Sequence, residues 1–127
     1  MRKAPVHPPT APLPAGPYTH AVAAGDFIFV SGQTAEKPGT DELVPGGIRE
    51  QTRQVMENIK SILAAAGCTM DDVVKVDAHL ADLQDFSGYN QVYGEYFTEP
   101  FPARLTVQSV LFAGALLEIS VTALRKG

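Results

Sequence analysis

The sequence predicts an α+β domain, a two-layer sandwich in which a mixed sheet carries two helices on one face. Three observations predict it. Between Ile48 and Ala66 apolar residues recur at helical spacing. Val73–Leu80 and Leu116–Leu124 alternate apolar and polar residues, as half-buried strands do. The elements come in the order β-β-α-β-α-β-β, strands interrupted by two single helices, which packs as helices over one sheet.

Residues 1 to 14 form a proline-rich arm, and 15 to 127 a single domain. With Pro17, the stretch holds six of the ten prolines, Pro5, Pro8, Pro9, Pro12 and Pro14 being the others. Proline fixes φ and removes a donor, so the arm cannot enter a helix interior or central strand and is expected to be mobile or draped over the surface. Thr19 to Ala24 reads as a short strand that ends at the turn signal Gly25-Asp26. Phe27-Ile28-Phe29-Val30 is an uninterrupted apolar run, expected of a strand covered on both faces. Residues 36 to 47, rich in glycine, proline and charge, read as a loop.

In the first helix Ile48, Thr52, Val55, Met56, Ile59, Ile62, Leu63 and Ala66 make one stripe. Arg53 and Glu57 are spaced as an i,i+4 charge pair. Gly67 suits the left-handed position past the helix end. In the next strand Val74, Val76, Ala78 and Leu80 are expected on one side. Asp85 is placed to cap a second helix running to about Phe97, with Phe86, Tyr89, Tyr93, Tyr96 and Phe97 on or near one face. Pro100 and Pro102 stop it, and strands follow at Arg104–Val110 and Leu116–Leu124. A sheet with helices on one side has a bare opposite face. Val30 and the aliphatics of the last strand suggest that it is covered, most economically by a second copy of the chain.

Composition narrows the classes of function. The 127 residues are 45% hydrophobic with a net charge of −4, and Lys and Arg are scattered. Bulk electrostatics therefore draws the chain neither to nucleic acid nor to an anionic membrane. No stretch has the length of a membrane-spanning helix. Arg2 and Lys3 precede no apolar run, so no signal peptide is expected. The one cysteine, Cys68, cannot form an internal disulfide, and the expected compartment is the cytoplasm.

Few residues can carry chemistry. His7, His20 and His79 are far apart and lack acidic or thiol neighbours at ligand spacing, so no metal site is expected. Cys68 has no base or positive charge nearby and reads as a small, partly buried residue. Gly46-Gly47 lacks the lysine of a phosphate-binding loop. Three features remain: Gly16-Pro17-Tyr18, a rigid turn presenting a phenol; Arg104, within the apolar run after Pro100 and Pro102; and Glu118, flanked by Leu116, Leu117 and Ile119. On pattern alone Arg104 and Glu118 read first as a structural ion pair or as charges at strand edges, ahead of an active site.

These residues and their surroundings resemble the RidA (YjgF-type) family of reactive-intermediate deaminases. The similarity runs from about Ala15 to Leu124. It is carried by Gly16-Pro17-Tyr18, Phe29-Val30-Ser31-Gly32-Gln33, Gln51-Thr52-Arg53-Gln54 with Asn58-Ile59, Val73-Val74-Lys75, Asp85-Phe86 with Asn90, Tyr93 and Phe97, Pro102-Ala103-Arg104, and Glu118-Ile119. The resemblance implies a homotrimer of chorismate-mutase-like fold, with the sheets in a central barrel and active sites between subunits. It implies hydrolysis of 2-imino acids and 2-aminoacrylate-type enamines to 2-keto acids and ammonia, without cofactor or metal. Arg104 would grip the substrate carboxylate, Glu118 would direct water, and Tyr18 would complete the catalytic set. Ser31, Gly32, Asn90 and Thr106 would contact substrate. The chain departs from the family pattern at His20, a common glutamine; at Leu105, usually small; at Thr106, cysteine in some members; and at Leu111-Phe112, where a Leu-Pro is usual in a loop one residue longer. Those departures bear on substrate size more than on reaction class. The rival readings are a non-enzymatic carboxylate-binding regulator or chaperone-like protein, a deaminase of another pathway intermediate, and an RNA-cleaving protein. The negative charge and the lack of a basic, aromatic platform count against the last.

Overall fold

The structure is a computed structural model that describes residues 3–8, 14 and 16–125. Its strands are β1 (Ala4–Val6), β2 (Ala21–Ala24), β3 (Phe27–Gln33), β4 (Val73–Leu80), β5 (Ala103–Gln108) and β6 (Leu117–Leu124). Helix α1 spans Ile48–Ala65 and α2 spans Phe86–Gly94, and single 3-10 turns lie at Met70–Asp72 and Leu83–Asp85. The sheet order is β1-β2-β3-β6-β4-β5. Every pairing is antiparallel except β4 with β5. The expected mixed sheet is therefore present, with one further strand. Ala4–Val6 of the arm pairs with β2 rather than lying loose, and Pro5 is tolerated there because β1 is an edge. Pro9, Pro12 and Ala15 lie outside the described residues.

The stripe read on α1 is the buried one. Val55, Met56, Ile59, Ile62 and Leu63 share one core with Ile28, Val30, Val76, Ala78, Leu80, Leu117, Ile119 and Val121. Each such side chain contributes about 1.5–3 kcal/mol when fully buried, so this seam holds the helix to the sheet. Gly67 takes φ +79°, its N–H bonding to Ala64 O at 3.0 Å and that of Cys68 to Leu63 O at 2.8 Å. That pair of bonds closes the helix as a Schellman motif. Arg53 does not meet Glu57. It reaches Glu95 at 2.9 Å, and Glu57 accepts from the Tyr96 hydroxyl at 2.7 Å, so the two charges tie α1 to the end of α2.

Two local expectations change. The register slips between Val73 and Lys75, which turns Val73 inward and leaves Val74 43% exposed. Asp85 makes no side-chain cap; Asp82 accepts from the Gln84 N–H instead, at the start of the 3-10 turn, and α2 ends at Gly94.

The bare face is apolar only in part, with Asp77, His79, Glu118, Ser120 and Thr122 also on it, and its apolar residues are not the ones expected. Val30 and the aliphatics Leu117, Ile119, Val121 and Ala123 point at the helices. Strand alternation puts Phe27, Phe29, Leu105 and Leu124 on the open side, each 44–51% exposed. The run Phe27–Val30 is thus covered on its Ile28 and Val30 side alone within one chain.

Candidate active site

The predicted residues fall into two groups. Tyr18, Ser31, Gly32 and Glu118 line one cavity of about 560 Å³, together with His20 and residues of two loops. Glu118 enters it because Leu117 and Ile119 are drawn into the core, which turns the residue between them to the open face. Ser31 and Gly32 lie at the register shift between Val30 and Gln33. There the Ser31 N–H bonds His20 O at 2.9 Å and its Oγ bonds Thr19 O at 2.6 Å. Those bonds pin the Gly-Pro-Tyr turn, itself closed by Tyr18 N to Gly16 O at 2.8 Å, beside the cavity. A Cβ built at Gly32 would overlap Glu118 Oε2 and lie 3.0 Å from its Cδ. Glycine at 32 is what lets the carboxylate lie flat on this strand.

Arg104 belongs to the second group. Its guanidinium lies over three rings of α2, with Cζ 4.6 Å from the Tyr93 centroid, 5.6 Å from Tyr89 and 5.7 Å from Phe86. Nη1 donates to Asn90 Oδ1 at 2.8 Å. Thr106, two residues on, shares a 3.1 Å hydrogen bond with the Tyr89 hydroxyl. Burial, slightly offset by Arg104, pushes the Tyr93 phenol up to about 12, so that ring stays neutral under the cation. An aromatic cradle and one amide oxygen thus fix the fork's orientation and leave most of its N–H groups open.

Arg104 faces the helices at the sheet's outer edge, whereas Glu118 faces the open side two strands away. Within one chain they form no ion pair, which removes that half of the plain reading; Arg104 does lie on an edge strand, as its other half has it. Within one chain they do not converge on a common ligand either.

Several residues outside the predicted set shape the site. Buried Gln51 of α1 donates to Gly114 O and accepts from Leu116 N, both at 2.9 Å. Buried Asn58 donates to Glu36 O at 3.0 Å. These amides brace the two loops of the cavity; the signal was two polar residues at i and i+7 beside the apolar stripe. His79 stands opposite Glu118 in the β4–β6 register and bonds Ser109 Oγ through Nδ1 at 2.7 Å. Among the described residues, no three His, Cys, Asp or Glu side chains cluster as a metal site. Burial, then Asp72, pushes the Cys68 thiol up, which disfavours the reactive thiolate.

His20 is 6% exposed, and its Nδ1 is buried without a hydrogen-bond partner. Burial, then the charge of His7, holds the imidazole below its ordinary 6.5. The folded chain keeps His20 neutral while the unfolded chain takes a proton. The stability this carries is complete above 6.5 and is lost as pH falls below it toward the depressed folded value. The melting temperature is expected to drop as pH is lowered from about 7 to about 5, and His20→Gln to flatten that slope. Parallel melting curves for the two proteins across that range would contradict the assignment.

Residues 8–125 match the family model described as Endoribonuclease L-PSP, and with nearly the whole chain matched, it belongs to this YjgF/RidA family. It is 50% identical over 117 residues to a RutC family protein of Pyrococcus horikoshii, covering 91% of this chain and 93% of that one. It is 44% identical over 116 residues to the 2-iminobutanoate/2-iminopropanoate deaminase of Capra hircus, covering 91% of this chain and 85% of that protein. The crystal structure of E. coli TdcF with bound serine superposes with a TM-score of 0.89 at 35% identity, covering 97% of this chain and 99% of that chain. No helix among the described residues is long and apolar enough to cross a membrane.

Proposed function

We propose that the chain hydrolyses 2-imino acids and their 2-aminoacrylate-type tautomers to 2-keto acids and ammonia, at sites shared between the copies of a homotrimer. The observation that carries this is the division of the site. Glu118 lies in an open cavity whose lining, among the described residues, includes no Lys or Arg, and Arg104 is cradled with its fork open on the opposite face. A neighbouring copy that covers Phe27, Phe29, Leu105 and Leu124 on the open face would bring its Arg104 toward this Glu118.

The chemistry follows from those two groups. The guanidinium takes the substrate carboxylate bidentately and so places C2. Glu118 takes a proton from water as the oxygen adds to C2, giving a carbinolamine. It returns that proton to nitrogen, the C–N bond breaks with loss of ammonia, and the hydroxyl proton passes to the freed carboxylate as the C=O forms and leaves with ammonia as ammonium. A protonated imine is electrophilic enough that positioning and proton transfer suffice. Tyr18, Ser31 and the Gly32 backbone complete the Glu118 side; Asn90 and Thr106 complete the other. The deaminase name of the goat relative supports the reading.

The serine in TdcF favours a second reading, in which the same cleft binds small carboxylates without turning them over. RNA cleavage, the activity in the family description, fits a net charge of −4 poorly. Imines generated by a dehydratase separate the readings. The hydrolase releases 2-keto acid faster than buffer does. An unchanged release rate, with a keto acid still binding by calorimetry, leaves the carboxylate-binding protein.

A further inference from the structure

Resting on the hydrolase reading, we infer that Phe112 and Leu43 form a side-chain subsite that selects imino acids with long apolar side chains over three-carbon and acidic ones. The cavity holds more than a three-carbon imino acid fills, at about 560 Å³. Its walls differ in chemistry. Tyr18, Ser31 and Glu118 make the polar wall, and Leu43, Phe112 and Ala115 the apolar one.

The apolar wall is built rather than incidental. Phe112 is 78% exposed, so its ring is not part of the core. Yet the loop that carries it is pinned at both ends. Ser109 N bonds Leu80 O at 2.9 Å and its Oγ meets His79, while Gly114 and Leu116 are held by buried Gln51. Gly114 turns the loop at φ +86°, and a Cβ there would meet Leu43 Cδ1 at 3.1 Å, so the two loops approach closely at this wall. The loop so placed sets Phe112 at the cavity wall, against the space an apolar ligand tail would fill. The acidic groups exclude anions from the same space. Glu36 is fixed on the wall by Thr34 Oγ1 at 2.7 Å, and Asp41 lines the cavity as well. A carboxylate-ended tail would sit against both charges.

The test compares imines made in place by an L-amino-acid oxidase, with semicarbazide trapping whatever escapes hydrolysis. The wild type is expected to favour the leucine-derived imine over the alanine-derived one and to handle the glutamate-derived one worst. Phe112→Ala should cut the leucine-to-alanine ratio of kcat/KM about tenfold and leave the alanine value unchanged. Phe112→Leu should keep most of the preference, and both variants should sediment as the wild type does. If no imine is turned over by the wild type, the hydrolase reading falls and takes this one with it. If imines are turned over but the ratio does not move in Phe112→Ala, the subsite alone is wrong. Equal loss on all substrates, or a changed assembly, would make Phe112 a structural contact and equally overturn it.

Discussion

Replacing Glu118 by glutamine is expected to lower kcat on imino acids by roughly 10²- to 10⁴-fold, with KM little changed, because a positioned general base contributes on that scale. Glutamine has the same shape and cannot take the proton from water. Melting should be unaffected, since Glu118 lies in a cavity wall and carries none of the core seam. Gly32→Ala provides an independent check. Its backbone is not in the left-handed region, so alanine adds no torsional strain, yet its Cβ would overlap the carboxylate. Gly32→Ala should therefore depress kcat in the native background and add little in the Glu118→Gln background. Additive losses would mean that residue 32 acts elsewhere than through the glutamate.

Arg104→Ala carries the second large effect, a fall in kcat/KM of roughly 100-fold or more, since two charge-assisted hydrogen bonds to a carboxylate are removed. Arg104→Lys is the more informative variant. Lysine keeps the charge but lacks the planar fork that stacks on Tyr93 and meets Asn90, so only a minor part of the loss should be recovered. A lysine variant close to wild type would reduce the role of Arg104 to a point charge and make the aromatic cradle irrelevant to catalysis.

How much of this the sequence carries depends on what each feature is made of. Helix α1 was legible because its stripe and its closing glycine are set by local spacing. The inward turn of Val73 was not, since a bulge is set by the partner strand's register. The residue types of the proposed site could be picked out in the sequence. Its side of the sheet was half legible: alternation around Leu117 and Ile119 puts Glu118 on the open face. In β5 the same rule misleads, because Leu105 and Val107 should be inside. Instead the stem and fork of Arg104 lie under the α2 aromatics, and Leu105 is turned to the open face at 51% exposure. That inversion leaves an apolar side chain on the open face, as the proposed assembly requires. The edge strand Ala4–Val6 was hidden by the proline that an edge alone tolerates.

The direct test of a site divided between copies is to mix two inactive variants. Arg104→Ala subunits keep Glu118, and Glu118→Ala subunits keep Arg104. Reassembled at equal ratio in a ring of heterologous contacts, about a quarter of the junctions carry both intact groups, so about a quarter of wild-type activity should return. If mass spectrometry shows the mixed trimers and their activity stays at the level of the parents, the guanidinium and the carboxylate do not meet across a subunit boundary.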